Sequence, residues 1–186
     1  MDLEHKQTLI DLGFSHLANK LEYTKTDAYP ELRNALLRQL AYIREQAALH
    51  PNDLPQDCTD VENQAYPNVR IQIGNILSPA GGTVDSLCFM ISFASTEERN
   101  RFYSCPMASA FQLAYEEPDA PFIDYAFCGS DVDYVVALFV RVLDEFYHIP
   151  ATTPFSFHNW SDNKNSTKSN FISRIFEKMR SLKKRK

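Results

Sequence analysis

Apolar residues recur at helical spacing over the first stretch of the chain, at Leu3, Leu9, Ile10, Phe14, Leu17 and Leu21. They predict a helix weakened in its middle by Gly13. Lys25-Thr26-Asp27 interrupts the period. A second helix starts at Tyr29 or Pro30, because proline in the first turn lacks an N–H that no partner would take there. Leu32, Leu36, Leu37, Leu40, Ile43, Ala47 and Ala48 give it a broad apolar face, and Pro51 ends it near His50. Two helices with a short joint predict an antiparallel helical hairpin over residues 1–50.

From Asn52 to Pro67 there are acids and prolines but no period, which predicts a connecting loop. The period then changes to two. Val69, Ile71 and Ile73 alternate with Arg70, Gln72 and Gly74, and Pro79-Ala80-Gly81-Gly82 supplies a turn. Leu87, Phe89, Ile91 and Phe93 follow as one face of a partner strand. Cys88 and Met90 make that strand apolar on both faces, which places it centrally. Ser95-Thr96-Glu97-Glu98 caps a short helix reaching about Tyr103. A second hairpin follows, with Phe111, Leu113 and Tyr115 alternating before the Glu116–Pro121 turn and Ile123, Tyr125 and Phe127 after it.

Ser130 at an N-cap with Asp133 three residues on opens a long helix to about His148. Val132, Val135, Val136, Phe139, Val140, Val142, Leu143 and Phe146 cover more than half its circumference, so it is expected to be the main core element on the sheet. Pro150 stops it. Ala151 to Asn170 is rich in Asn, Ser and Thr and reads as a linker. The period of a helix returns at the end, where Phe171, Ile172, Ile175, Phe176, Met179 and Leu182 fall within about 140° of arc.

The expected fold is α+β. It has an N-terminal helical hairpin, a four-stranded mostly antiparallel sheet of two hairpins backed by a long core helix, and a C-terminal basic amphipathic helix on a linker. As domains this gives a single α+β unit over 1–150, with the helical hairpin at 1–50 and the sheet plus core helix at 68–149. A polar linker at 151–169 and the tail helix at 170–186 complete it. The layout over Val69 to Ile149 is similar, at the level of fold and with no motif, to secretion-chaperone-like proteins.

Charge changes this picture more than composition does. The 186 residues are 44% hydrophobic and 23% charged, which excludes collagen, low complexity over most of the length and a continuous coiled coil. No apolar run approaches the roughly 20 residues of a membrane-spanning helix. The opening Met-Asp-Leu-Glu-His-Lys has no apolar core, so no secretory signal is expected. From Lys164 to Lys186 nine residues are basic and only Glu177 is acidic, while the remaining 163 residues hold 10 basic and 23 acidic side chains. An acidic body therefore carries a basic end.

The search for chemistry is mostly negative. Nucleophile-elbow, phosphate-loop, zinc-protease and dinucleotide motifs are absent from the chain. Cys58, Cys88, Cys105 and Cys128 are widely spaced, which predicts free structural thiols; no cofactor and no metal are expected. His148 with Asp144 at i−4 and Cys128 nearby in sequence are the residues from which a scattered catalytic site could be built. The paired acids Asp131 and Asp133 read as a helix cap, and Glu116, Glu117 and Asp119 as a solvated turn.

The leading expectation is a non-enzymatic, cytoplasmic protein-binding module of adaptor, chaperone-like or inhibitor type. Its contact residues would be Phe171, Ile172, Arg174, Ile175, Phe176, Lys178, Met179, Arg180, Leu182, Lys183 and Lys184, which meet another protein or an anionic membrane surface. The alternatives are an enzyme built on His148, Asp144 and Cys128, and a peripheral membrane protein tethered by its tail. Tight nucleic-acid binding is opposed by the acidic body.

Overall fold

Pro30 opens the first helix, α1 (Pro30–Leu49), in a computed structural model that describes residues 21–49, 57–77, 83–115 and 122–161. Tyr29, at the left-handed φ of 52°, turns the chain into it. Leu32, Ala35, Leu36, Leu40 and Ile43 recur at intervals of three and four and are buried together with one polar residue, Gln39.

The strands are β1 (Asp57–Glu62), β2 (Ile71–Leu77), β3 (Thr83–Phe93), β4 (Gln112–Tyr115), β5 (Phe122–Gly129) and β6 (Ser156–Ser161). They form one six-stranded sheet in the order β4-β5-β3-β2-β1-β6, antiparallel at every joint. The two expected hairpins are present as β2–β3 and β4–β5. The central place expected for β3 is also observed.

Two strands correct the sequence reading. The expected loop of residues 52–67 contains β1, and the expected linker from Ala151 contains β6, which pairs with β1 from Glu62↔Ser156 to Asp57↔Ser161. The sheet is thus wider than the four strands foreseen, and the folded part runs to at least Ser161. The physical reason is that β1 buries Asp57 and Thr59, and β6 turns Asn159 to the helix side. Polar residues at inward positions erase the apolar alternation by which a strand is read.

One sheet face carries Val61, Ile71, Ile73, Leu87, Phe89, Ile91, Phe93, Ala126 and Cys128, packed in a single cluster with the apolar face of α1. The same cluster takes Val132, Val136, Phe139, Leu143 and Phe146 from α3 (Val132–Arg141) and the turn after it. The long helix is therefore the core element that its composition implied. Phe93 meets Phe146 at 6.0 Å, and Phe139 meets Tyr29 at 4.9 Å, both edge-on. α2 (Thr96–Tyr103) is capped by Ser95, whose Oγ accepts from Glu98 N at 3.1 Å. Its Phe102 fits between Phe93, Phe111 and Phe146 at 5.0–5.3 Å.

The start and end of the long helix differ from expectation. Asp131, not Ser130, is the N-cap, and its carboxylate accepts from Tyr134 N at 3.0 Å. After Arg141 the helix widens into a π-turn, Val142–Tyr147, closed by His148 in the left-handed region at φ 55°. The widened turn lets Val142, Leu143 and Phe146 all face the core. Among the described residues no helix is long and apolar enough to cross a membrane. The expected helix over Leu3–Leu21, apart from Leu21, and the whole tail helix at 170–186 lie outside the described residues.

Candidate functional site

Residues 21–28 form an extended strap laid along the outer side of α3, and the chemistry of the strap explains why it stays there. Leu21 N–H donates to the Tyr134 hydroxyl at 3.4 Å. The Tyr23 hydroxyl donates to both carboxylate oxygens of Asp131, at 3.0 and 2.9 Å, and its ring meets Tyr134 edge-on at 5.3 Å. Burial and then the bond to Asp131 hold the Tyr23 phenol above its ordinary pKa. Lys25 reaches Asp133 at 2.9 Å, and Arg33 of α1 pairs with the same carboxylate while donating to Thr26 O at 2.7 Å. Asp131 and Asp133 thus serve as cap and clamp, as well as closing the start of α3.

Between strap and helix lies an open cavity of about 450 Å³. Its floor is Ala137 and Val140, one wall is Tyr23, Thr24 and Thr26, and Arg141 borders it beside the π-turn. The Arg141 Nε donates to Glu145 Oε1 at 2.7 Å, which orients the guanidinium. Tyr23 remains 37% exposed at the rim. Apolar groups thus lie at its floor, with hydroxyl and charged groups at its edge. The distances that build it span more than a hundred residues of sequence, so no local spacing signals it.

The residues proposed for a scattered catalytic site do not converge. Cys128 lies one residue before the end of β5 and is fully buried, with its thiol directed to Ala126 O at 3.5 Å. His148 lies beyond the far end of the long helix, on the order of 20 Å from its start. Its Nδ1 faces the backbone carbonyl of Asp144 at 3.1 Å rather than the Asp144 carboxylate. Among the described residues no group of three or more metal-ligating side chains is present. The tail residues Phe171 to Lys184 and the acids Glu116, Glu117 and Asp119 lie outside the described residues.

Two further polar clusters do structural work. Gln39 Nε2 donates to Asp57 O at 2.9 Å and to Ile73 O at 3.1 Å, and its Oε1 accepts from Thr59 Oγ1 at 2.9 Å. Thr59 Oγ1 also lies 3.2 Å from Asn159 Oδ1, and Asn159 Nδ2 donates to Ala35 O. This network ties α1 to the polar strands β1 and β6. Elsewhere, Arg99 Nε sits 3.2 Å from both oxygens of the fully buried Asp124, joining α2 to β5. Burial and then Asp124 push the Tyr103 phenol beside them up to about 12.

Comparison with protein-family models, with curated proteins and with solved structures finds no match for the chain.

Proposed function

We propose that the protein is a non-enzymatic protein-binding module of adaptor, chaperone-like or inhibitor type, acting from its acidic body through the cavity between strap and α3. The observation that supports this reading is the cavity itself. Its apolar floor joins the partly exposed Val140 to the buried Ala137, and its polar wall is held by Asp131 and Asp133. A partner segment that seats an apolar side chain there finds both walls already ordered, so little conformational entropy is lost on docking.

In this reading the partner is another protein that presents a basic, amphipathic segment, which the excess of acids in residues 1–163 would attract. The basic residues Arg174, Lys178, Arg180, Lys183 and Lys184 supply a second contact region of opposite sign. The proposed compartment is the cytoplasm. No cofactor takes part, and nucleic acid is not the partner.

The test is affinity capture from the native host with the wild-type chain and with Val140→Glu, which puts a charge on the cavity floor. The expected result is a partner retained by the wild type and lost by a variant with unchanged melting temperature. Equal capture by both chains, or capture by neither, contradicts the proposal.

A further inference from the structure

The second face of the sheet is shielded, yet none of the described helices lies over it. Strand alternation places Cys58, Gly74, Cys88, Met90, Ile123 and Phe127 there, opposite the face that packs on α1 and α3. Cys88 is 2%, Phe127 4% and Met90 8% exposed. Met90 and Cys58 crowd Gly74, where an added Cβ would lie 3.1 Å from Met90 Cε. A Phe and a Met in the middle of an open sheet face would remain largely wet. Such a face calls for an apolar cover.

We infer that the cover is the C-terminal amphipathic segment, with Phe171, Ile175, Phe176, Met179 and Leu182 turned onto this face. Three observations select it. The intervening segments 50–56, 78–82 and 116–121 hold one large apolar side chain between them, Leu54. The N-terminal segment enters from the other side, where Leu21 is bonded to Tyr134 of α3. The C-terminal segment leaves from β6, and the ten residues from Ser161 to Phe171 can reach about 30 Å. The centre of the face at β3 lies three strand spacings from β6, or about 14 Å.

Charge fits the same seat. On β1, Asp60 and Glu62 follow Cys58 at intervals of two and so lie on this face, Glu62 with its side chain 67% exposed. They meet a segment whose Arg174, Lys178, Arg180 and Lys184 lie outside its apolar arc. Seated in this way, the tail is the third layer of an α/β/α arrangement. Its cations lie at the flanks of the seat, and its apolar side chains are no longer available to a membrane. The inference goes beyond the cavity beside α3 and stands without it.

The test uses the full chain and two independent readouts. A nitroxide on Ser181→Cys, in a Cys105→Ser background, should broaden the methyl signal of Met90, leaving less than about half its intensity, and spare that of Met107 on the opposite side. In the full-length Phe176→Asp variant, Cys58 and Cys88 should react with a thiol reagent at least about 100-fold faster than in the parent, while Cys128 on the first face stays protected. A Met90 signal at full strength overturns the inference. Co-sedimentation of that chain with phosphatidylserine vesicles would then assign the tail to a membrane, and its absence to another protein. Reactivity that rises equally at Cys128, or at none of the three, also counts against the seat.

Discussion

The Thr59 hydroxyl donates to Gln39 Oε1 at 2.9 Å, across the joint between β1 and α1. Gln39 is 1% and Thr59 0% exposed, so neither can exchange this partner for water. Replacing Gln39 with Leu leaves the Thr59 hydroxyl only the longer bond to Asn159 Oδ1 and removes the amide from the carbonyls of Asp57 and Ile73. The expected loss is about 1–3 kcal/mol in urea unfolding. An unfolding free energy within about 0.3 kcal/mol of the wild type would show that the network does not secure β1.

Asp57 lies on the same strand, and burial pushes its carboxyl up to about 7, against a small opposing effect of the Cys58 N–H. Gln39 of α1 and Asn75 of β2, both neutral amides, bond the backbone O and N–H of Asp57. Because the folded state favours the protonated form, the native chain binds more protons than the unfolded one between about pH 4 and 7. This contribution to stability is full below about pH 4, falls as pH rises to about 7 and is flat above it. Asp57→Asn should melt several degrees above the wild type at pH 8 and equal it at pH 4. A difference that is the same at both values contradicts the assignment.

Phe139 is fully buried and meets Tyr29, Phe155 and Phe157 edge-on at 4.9–5.9 Å. Truncation to Ala should cost on the order of 3–5 kcal/mol, because the rings around it are fixed by both α1 and the approach to β6. A loss below about 1 kcal/mol in chemical denaturation would mean that α3 is not the core element.

Asp124 and Tyr103 provide a spectroscopic check on the α2–β5 joint. Burial raises the Tyr103 phenol first and the Asp124 carboxylate second. Asp124→Asn should therefore lower its titration from about 12 without returning it to the value of a free tyrosine. Alkaline absorbance titration of one tyrosine that is unchanged by the substitution would remove the carboxylate from the joint.

These features show where the sequence was readable. Ile71, Ile73, Leu87, Phe89, Ile91 and Phe93 alternate without interruption, and the hairpin they make stands where their period placed it. α1 and α3 were equally plain, because Pro30 and the Val-rich run after Asp131 mark both start and face. β1 and β6 were hidden because Asp57, Thr59 and Asn159 face inward as partners for Gln39 and α1, and polar inward residues look like loop. The cavity was hidden for a different reason: Tyr23 and Asp131 are 108 positions apart, and only the fold brings them to 2.9 Å.

The cavity as a protein contact site is tested most directly by amide hydrogen exchange of the chain, free and bound to the partner it captures. The account predicts slower exchange in the bound state over the strap, residues 21–28, and over Ala137 to Arg141, with no change at β4 and β5. Protection confined to the sheet edges or to residues beyond Ser161, with the strap and α3 exchanging as in the free chain, would contradict it.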